Sequence, residues 1–279
     1  MCLSCPVADA ACLVTIHAGN ELKFLFSLPF FFTKKKGRYE KREMLMSEQK
    51  LGVLGGMGPQ ATQMFYQFVL DRTDAVRDQE HLPAVILSDT GIPDRTAAIL
   101  SGDTEGLYRR LLGDAKTLEA CGCTALAIPC NTSHYFADRL QGEISVPIIH
   151  MLRETAAALA AQGRKRPGIL ATDGTIQTGL YQRECAAFGM EAVAPGPDTQ
   201  KLVMSIIYDE IKQGEKGSRD KFAKIDRAIR KAGCDCAILA CTELSVFSTY
   251  HPLPSFYLDA MMVLAERAVE TCGYPLRTI

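Results

Sequence analysis

Two cysteines stand where chemistry is possible. "AIPCNTSH" (residues 127–134) ends an apolar run on Cys130 and continues with Asn131 and Thr132, and "LACTELS" (239–245) repeats the arrangement with Cys241, Thr242 and Glu243. In open α/β sheets, ligands bind outside the carboxyl ends of strands, where helix N-termini gather. Residues that cap helices leave backbone N–H groups free to hold an anion, and a carboxylate suits that place. The same positive helix end lowers a cysteine pKa from about 8.5 toward neutrality, so each sulfur is expected to exist as thiol or thiolate. Two such sulfurs flanking one carbon fit one reaction class. One removes a proton beside a carboxylate, the other returns a proton to the opposite face, and the stereocentre inverts. The α-hydrogen of an amino acid is weakly acidic, so the reaction needs preorganised N–H and hydroxyl donors in a closed cleft, each worth about 3 kcal/mol. Near-attack distances of about 3–3.5 Å put the sulfurs roughly 7 Å apart in a closed form. Nothing here implies a cofactor.

The elements that must position these sulfurs begin at Lys50. Short apolar runs alternate with amphipathic stretches, which predicts α/β architecture with parallel strands joined by helices. Strands are expected at 50–56, 84–89, 125–130 and 146–151, and again at 166–173, 191–196, 236–241 and 253–258; the most evident helices are 61–73, 106–122, 201–214 and 219–233. "CGCTALAIPCNT" aligns with "AGCDCAILACTE", placing Cys130 over Cys241, and each half opens on a glycine-containing strand and turn. A duplication follows: two similar domains, 46–150 and 151–279, each a mostly parallel sheet flanked by helices. They are expected to be related by a pseudo-twofold with the site in the cleft between them, and the C-terminal helix to return to the first.

Composition narrows the partners. Lys plus Arg number 31 against 32 Asp plus Glu, so no net field draws nucleic acid or an acidic membrane surface. Eleven cysteines without a small loop-rich framework favour a reducing cytoplasm over disulfides. Residues 1–45 differ from the rest. The apolar stretch in "KFLFSLPFFFTKKK" is too short to span a bilayer and lacks the flanks of a signal peptide. Lys41-Arg42-Glu43 can be encoded by a purine-rich run resembling a bacterial ribosome-binding site, so translation is expected to start at Met46 after a 45-residue leader. Mass spectrometry of the native N-terminus tests this, and a chain beginning at Met1 refutes it.

"LGVLGGMGPQAT", "RDQEHLPAVILSDTGIPDRTAAIL", "IPCNTSH", "ILATDGT", "IIYDEIKQG" and "ACTELS" together resemble the aspartate racemase branch of the pyridoxal-phosphate-independent aspartate/glutamate racemase superfamily. The resemblance runs from about Met46 to the C-terminus. It implies no pyridoxal phosphate or metal, a homodimer, and Cys130 and Cys241 as paired acid and base. It further implies that Asn131, Thr132 and Thr242 hold the α-carboxylate and amino group, with Met57 and Gly58 of the "GGMG" turn and Glu243 lining the same cleft. For a side-chain carboxylate it implies Arg95 and Lys212, and hence aspartate as substrate. Ala240 replaces the glycine usual before the second cysteine, and Glu243 stands where glutamate racemases carry histidine, which favours aspartate over glutamate.

Blander readings accompany the sharp ones. His134 either orients the cysteine loop from behind or is a satisfied polar residue. Arg95 could pair with Asp94, and Lys212 could meet a helix dipole. Cys121/Cys123 and Cys234/Cys236 have C-x-C spacing, not that of zinc sites, so no metal is expected; Cys185 and Cys272 read as packing residues. Gly55, Gly56 and Gly58 lack the G-x-G-x-x-G spacing of a dinucleotide turn. The leading function is a cofactor-independent racemase interconverting L- and D-aspartate. A racemase of broader specificity and a non-catalytic amino-acid-binding protein are the alternatives.

Overall fold

A computed structural model describes residues 14–18, 21–25 and 49–278. Within the unit Met1–Leu45, strands β1 (Val14–Ala18) and β2 (Glu21–Leu25) pair antiparallel; the remainder of the expected leader lies outside the described residues. Met46–Ile279 form the other unit.

In that unit the chain runs β3 (Leu51–Gly55), α1 (Pro59–Arg72), β4 (Ala84–Ser88), α2 (Arg95–Ser101), α3 (Glu105–Ala120), β5 (Ala125–Ala127), α4 (Ala137–Gln141), β6 (Ile148–Ile149) and α5 (Met151–Ala161). It continues through β7 (Pro167–Leu170), α6 (Asp173–Gln177), α7 (Leu180–Ala186), α8 (Pro197–Ser205), α9 (Arg219–Lys231), β8 (Cys236–Leu239), α10 (Thr242–Tyr250), β9 (Tyr257–Asp259) and α11 (Ala260–Thr271). The first sheet has the order β4-β3-β5-β6, the second β7-β8-β9, and all pairings are parallel. Val193 adds a single parallel bridge to Gly168 on the outer side of β7, so the second sheet reproduces the order of the first. Prolines at 195 and 197 lack the N–H a ladder needs, which reduces the strand expected at 191–196 to that one bridge.

The duplication extends to individual hydrogen bonds. The Lys50 N–H donates to Thr124 Oγ1 at 3.0 Å, and the Arg166 N–H donates to Asp235 Oδ1 at 3.0 Å. Leu126 N–H meets Pro147 O at 2.8 Å, and Ala237 N–H meets Phe256 O at 2.9 Å. Gly52 and Gly168 occupy matching positions because neither site has room for a side chain. A Cβ on Gly52 would collide with Leu126 and crowd Cys123, and one on Gly168 would come within 2.8 Å of Ile229 and meet Cys234.

The innermost strands are covered on both faces, and their alternation divides them between cores. Leu51, Val53, Ala125, Ala127, Ile169, Cys236 and Ile238 face a central core that also receives α1, α5, α7 and α11. Leu54, Leu126 and Ile128 face outward under α3, while Leu170, Ala237 and Leu239 face outward under α8 and α9. Both sheets thus share one apolar interior, and α11 packs chiefly against α1 and α5. Cys130 and Cys241 continue the outward-facing rows, two residues beyond Ile128 and Leu239. No helix among the described residues is long and apolar enough to cross a membrane.

Candidate active site

The carboxyl ends of both sheets meet at a cavity of about 20 Å³. Met57, Arg95, Cys130, Asn131 and Thr132 line it from the first half, and Lys212, Cys241, Thr242 and Glu243 from the second. Gly58 borders an adjoining pocket instead, and His134 lies behind Cys130. That volume admits a single water by the ~10–15 Å³ one water requires, so the cleft stands closed with no room for an amino acid.

On the first side, β3 ends in Gly55-Gly56, where Gly56 takes φ +92° against the Asp89 backbone. Its N–H donates to Thr62 Oγ1 at 2.8 Å, fixing the turn that delivers Met57. The Met57 sulfur accepts from Ser133 Oγ at 3.1 Å. Asp94 caps α2 by accepting from the Ala97 N–H at 2.7 Å, and the next residue, Arg95, reaches into the cleft. Arg95 donates to Met57 O at 3.3 Å and Pro93 O at 3.1 Å, leaving Nε buried without a partner. Burial opposes its charge, but the nearby Cys130, Asp94 and Glu243 outweigh that and hold it above its ordinary pKa.

Two buried side chains fix the Cys130 loop. His134 Nε2 accepts from the Met151 N–H at 3.0 Å, so Nδ1 carries the proton and donates to Cys130 O at 2.9 Å. Burial, with His150 adding to it, lowers the His134 pKa to about 3, which keeps the ring neutral. Tyr181, fully buried on α7, donates to Asn131 Oδ1 at 2.6 Å. The Asn131 amide nitrogen is thereby turned away from Tyr181, buried and unpartnered in a residue of the cavity wall. A hydroxyl cluster joins the halves: Thr132 meets Thr175 at 2.8 Å and Thr172 at 3.2 Å, and Thr96 meets Thr172 at 3.2 Å.

The second cysteine has other surroundings. Cys241 is the extended N-cap residue of α10, and its thiol donates to Glu243 Oε2 at 2.8 Å. Burial, then the negative charge of Glu243, push its pKa well above the ordinary value. The expectation that a helix end would draw this thiol toward neutrality is overturned, because desolvation and an adjacent carboxylate exceed a helix dipole. Glu243 Oε1 pairs with Lys212 at 3.0 Å. Burial opposes the charge on Lys212, and Glu243 more than restores it.

Lys212 comes from a stretch expected as one helix over 201–214. The chain instead forms α8, a π-turn at Ile206–Glu210 and a 3₁₀ turn at Ile211–Gln213. Such breaks re-aim side chains. Tyr208 here donates to Asp94 Oδ2 at 3.2 Å, and buried Glu210 anchors the segment by accepting from the Ser218 N–H at 2.7 Å and from Lys221. Sequence reasoning missed Tyr181, Tyr208, Thr96 and Thr172. The repeat signals Thr172, which follows β7 as Gly56 follows β3; Tyr181 has no local signature.

The sequence pattern of the Asp/Glu/hydantoin racemase family matches residues 54–268. The chain belongs to this family. It is 26% identical over 227 residues to a broad-specificity amino-acid racemase of Bacillus subtilis, covering 79% of this chain and 97% of that protein. It is similar in structure to Picrophilus torridus aspartate racemase, with TM-score 0.68, 28% identity, and coverage of 82% and 96%. A glutamate racemase of Francisella tularensis, solved with D-glutamate, shares the fold at TM-score 0.58 and 15% identity, over 80% of each chain. Family membership places the chain among racemases, which are isomerases.

Proposed function

We propose that this chain is a cofactor-independent racemase that interconverts L- and D-aspartate with Cys130 and Cys241 on opposite faces of Cα. The reading rests chiefly on one observation: sulfurs from duplicated strand ends line one closed cavity together with Arg95 and Lys212. In the resting cleft Cys130 lies beside the Arg95 cation, and Cys241 is a thiol hydrogen-bonded to a carboxylate. A Cys130 thiolate takes the α-proton from one enantiomer, leaving the electron pair on Cα and its carboxylate. The Cys241 S–H delivers its proton to the opposite face and becomes the thiolate. The reverse reaction exchanges the roles. The unpartnered Asn131 amide, Thr132 and Thr242 hold the α-carboxylate and amino group while negative charge builds there.

Arg95 and Lys212 favour a second carboxylate on the substrate, and the repeat supports lobes at 46–150 and 151–279. Resemblance to the racemase family favours a cytoplasmic homodimer, which light scattering of the purified chain checks. The Bacillus relative motivates a second reading, racemisation of a wider set of amino acids on the same two sulfurs. A non-catalytic amino-acid binder would keep the cleft without proton exchange. Enantiopure aspartate incubated with the chain in D₂O, without added cofactor, should yield the opposite enantiomer carrying deuterium at Cα. No label after prolonged incubation with aspartate or a panel of other amino acids rejects the racemase reading.

A further inference from the structure

The closed cleft already contains a carboxylate. Glu243 Oε1 takes Lys212 at 3.0 Å, while Oε2 accepts from the Cys241 thiol at 2.8 Å and from Thr242 Oγ1 at 3.3 Å. The ion pair also forms a shared wall. On one side is the 20 Å³ cavity; on the other is a pocket of about 340 Å³ bounded by Gly58, Pro59, Gln60, Ala61, Ile211 and Val246. Only the second has the size at which small-molecule sites begin, about 300 Å³.

We propose that Glu243 is a latch: its carboxylate holds the place of the substrate's side-chain carboxylate on Lys212, and a substrate bearing its own carboxylate displaces it. The chemistry of the released sulfur rests on the racemase reading; the exchange on Lys212 does not. Drawing a buried carboxylate off its cation leaves two poorly solvated charges and is costly. An acidic amino acid replaces one carboxylate by another, so most of that cost cancels. Alanine brings no replacement, and the latch stays closed.

The same movement releases Cys241. Oε2 and Oε1 belong to one carboxylate, so when Glu243 leaves Lys212 it also leaves the thiol, whose proton then becomes available to Cα. The negative charge that helps hold the Cys241 pKa high departs with it. The departing group has somewhere to go, because the larger pocket borders the first turn of α1, where Gly58 provides no side-chain cap for the Gln60 and Ala61 N–H groups. Recognition of a second carboxylate and activation of one sulfur thereby become a single event. Glu243 is a positioning and specificity-determining residue as much as a wall of the cleft.

Calorimetric titration of aspartate and alanine into a Cys130→Ala chain, which halts turnover, tests the latch without depending on catalysis. Adding the isosteric Glu243→Gln should tighten aspartate by about tenfold and leave alanine within about twofold. Adding Lys212→Met should erase that tightening, as coupled partners require. Aspartate binding that is unchanged or weaker in Glu243→Gln overturns the proposal, as does tightening that persists with Lys212→Met, which would be simple charge repulsion. Deuterium exchange by the unaltered chain judges the racemase reading separately. Exchange without tightening keeps the enzyme and removes the latch; tightening without exchange does the reverse.

Discussion

The Cys130 and Cys241 corners share a backbone plan and differ in almost everything around it. Each sulfur ends an outward-facing row of its sheet, two residues past Ile128 or Leu239, on strands tied by matching hydrogen bonds. Yet Cys130 opens into a 3₁₀ turn at Thr132–Phe136 near Arg95, whereas Cys241 is the N-cap residue of α10 and its thiol donates a hydrogen bond to Glu243. In the racemisation proposed above, the repeat supplies the symmetry a two-faced reaction needs. The differing neighbours supply the asymmetry, because that reaction has a thiolate and a thiol facing the same carbon at the same moment. A cation stands near one sulfur, and a carboxylate accepts from the other and helps hold it as a thiol.

The comparison breaks most completely when either sulfur is removed. Cys130→Ala and Cys241→Ala should each lower racemisation by at least about 10³-fold, as expected for groups that act as a unit, while circular dichroism and melting remain close to those of the parent. Two-way racemisation by both variants at near-parent rates would contradict the paired roles. A smaller loss is expected when only the polarity is disturbed. Arg95→Met should cost about 10²-fold in kcat/KM by leaving Cys130 without its cation, read in steady-state assays in both directions.

Tyr181→Phe sharpens the comparison further, because the Tyr181 hydroxyl donates to Asn131 of the first corner. Loss of its hydrogen bond lets the Asn131 amide turn, and a fall of about tenfold in both kcat and kcat/KM is expected, because charge builds where that amide holds the substrate. A rise in KM with kcat unchanged would confine Asn131 to ground-state binding instead.

The smallest effect concerns pH and opposes the two halves. Asp259 caps α11 by accepting from the Met261 N–H at 2.9 Å and also accepts from Ser245 at 2.7 Å, yet burial raises its pKa from 3.8 to about 6. The fold therefore favours its protonated form. That contribution is full below about pH 3.8 and is lost as pH rises through about 6. His134 is lowered from 6.5 to about 3, so its contribution is full above pH 6.5 and fades as pH falls toward 3. Between pH 6 and 4 the two partly cancel. Removing one side with Asp259→Asn should make stability in urea fall more steeply on acidification, by about 2 kcal/mol over that interval. An unchanged pH profile would show that Asp259 is not the buried acid described.

Much of this was legible before the structure. Repetition of "CGCTALAIPCNT" as "AGCDCAILACTE" marked both sulfurs, the parallel sheets and the equivalence of the halves. Arg95 and Lys212 came from resemblance, and the fold brings both to the same cavity as the cysteines. The charge state of Cys241 was not legible, since it depends on burial and on how Glu243 turns. Tyr181 was equally hidden: it lies 50 residues from Asn131, and a tyrosine on a helix reads as packing until its hydroxyl partner is known. The break at 206–213 escaped because "IIYDEIKQG" has ordinary helical periodicity, and the anchoring of Glu210 by Lys221 is tertiary.

A structure of the chain with aspartate bound tests the central claim most directly. The account predicts one sulfur on each side of Cα at about 3–3.5 Å, the substrate's second carboxylate on Lys212, and Glu243 moved off both Lys212 and Cys241. Both sulfurs against a single face of the carbon, or one left packed away from it, would contradict the account.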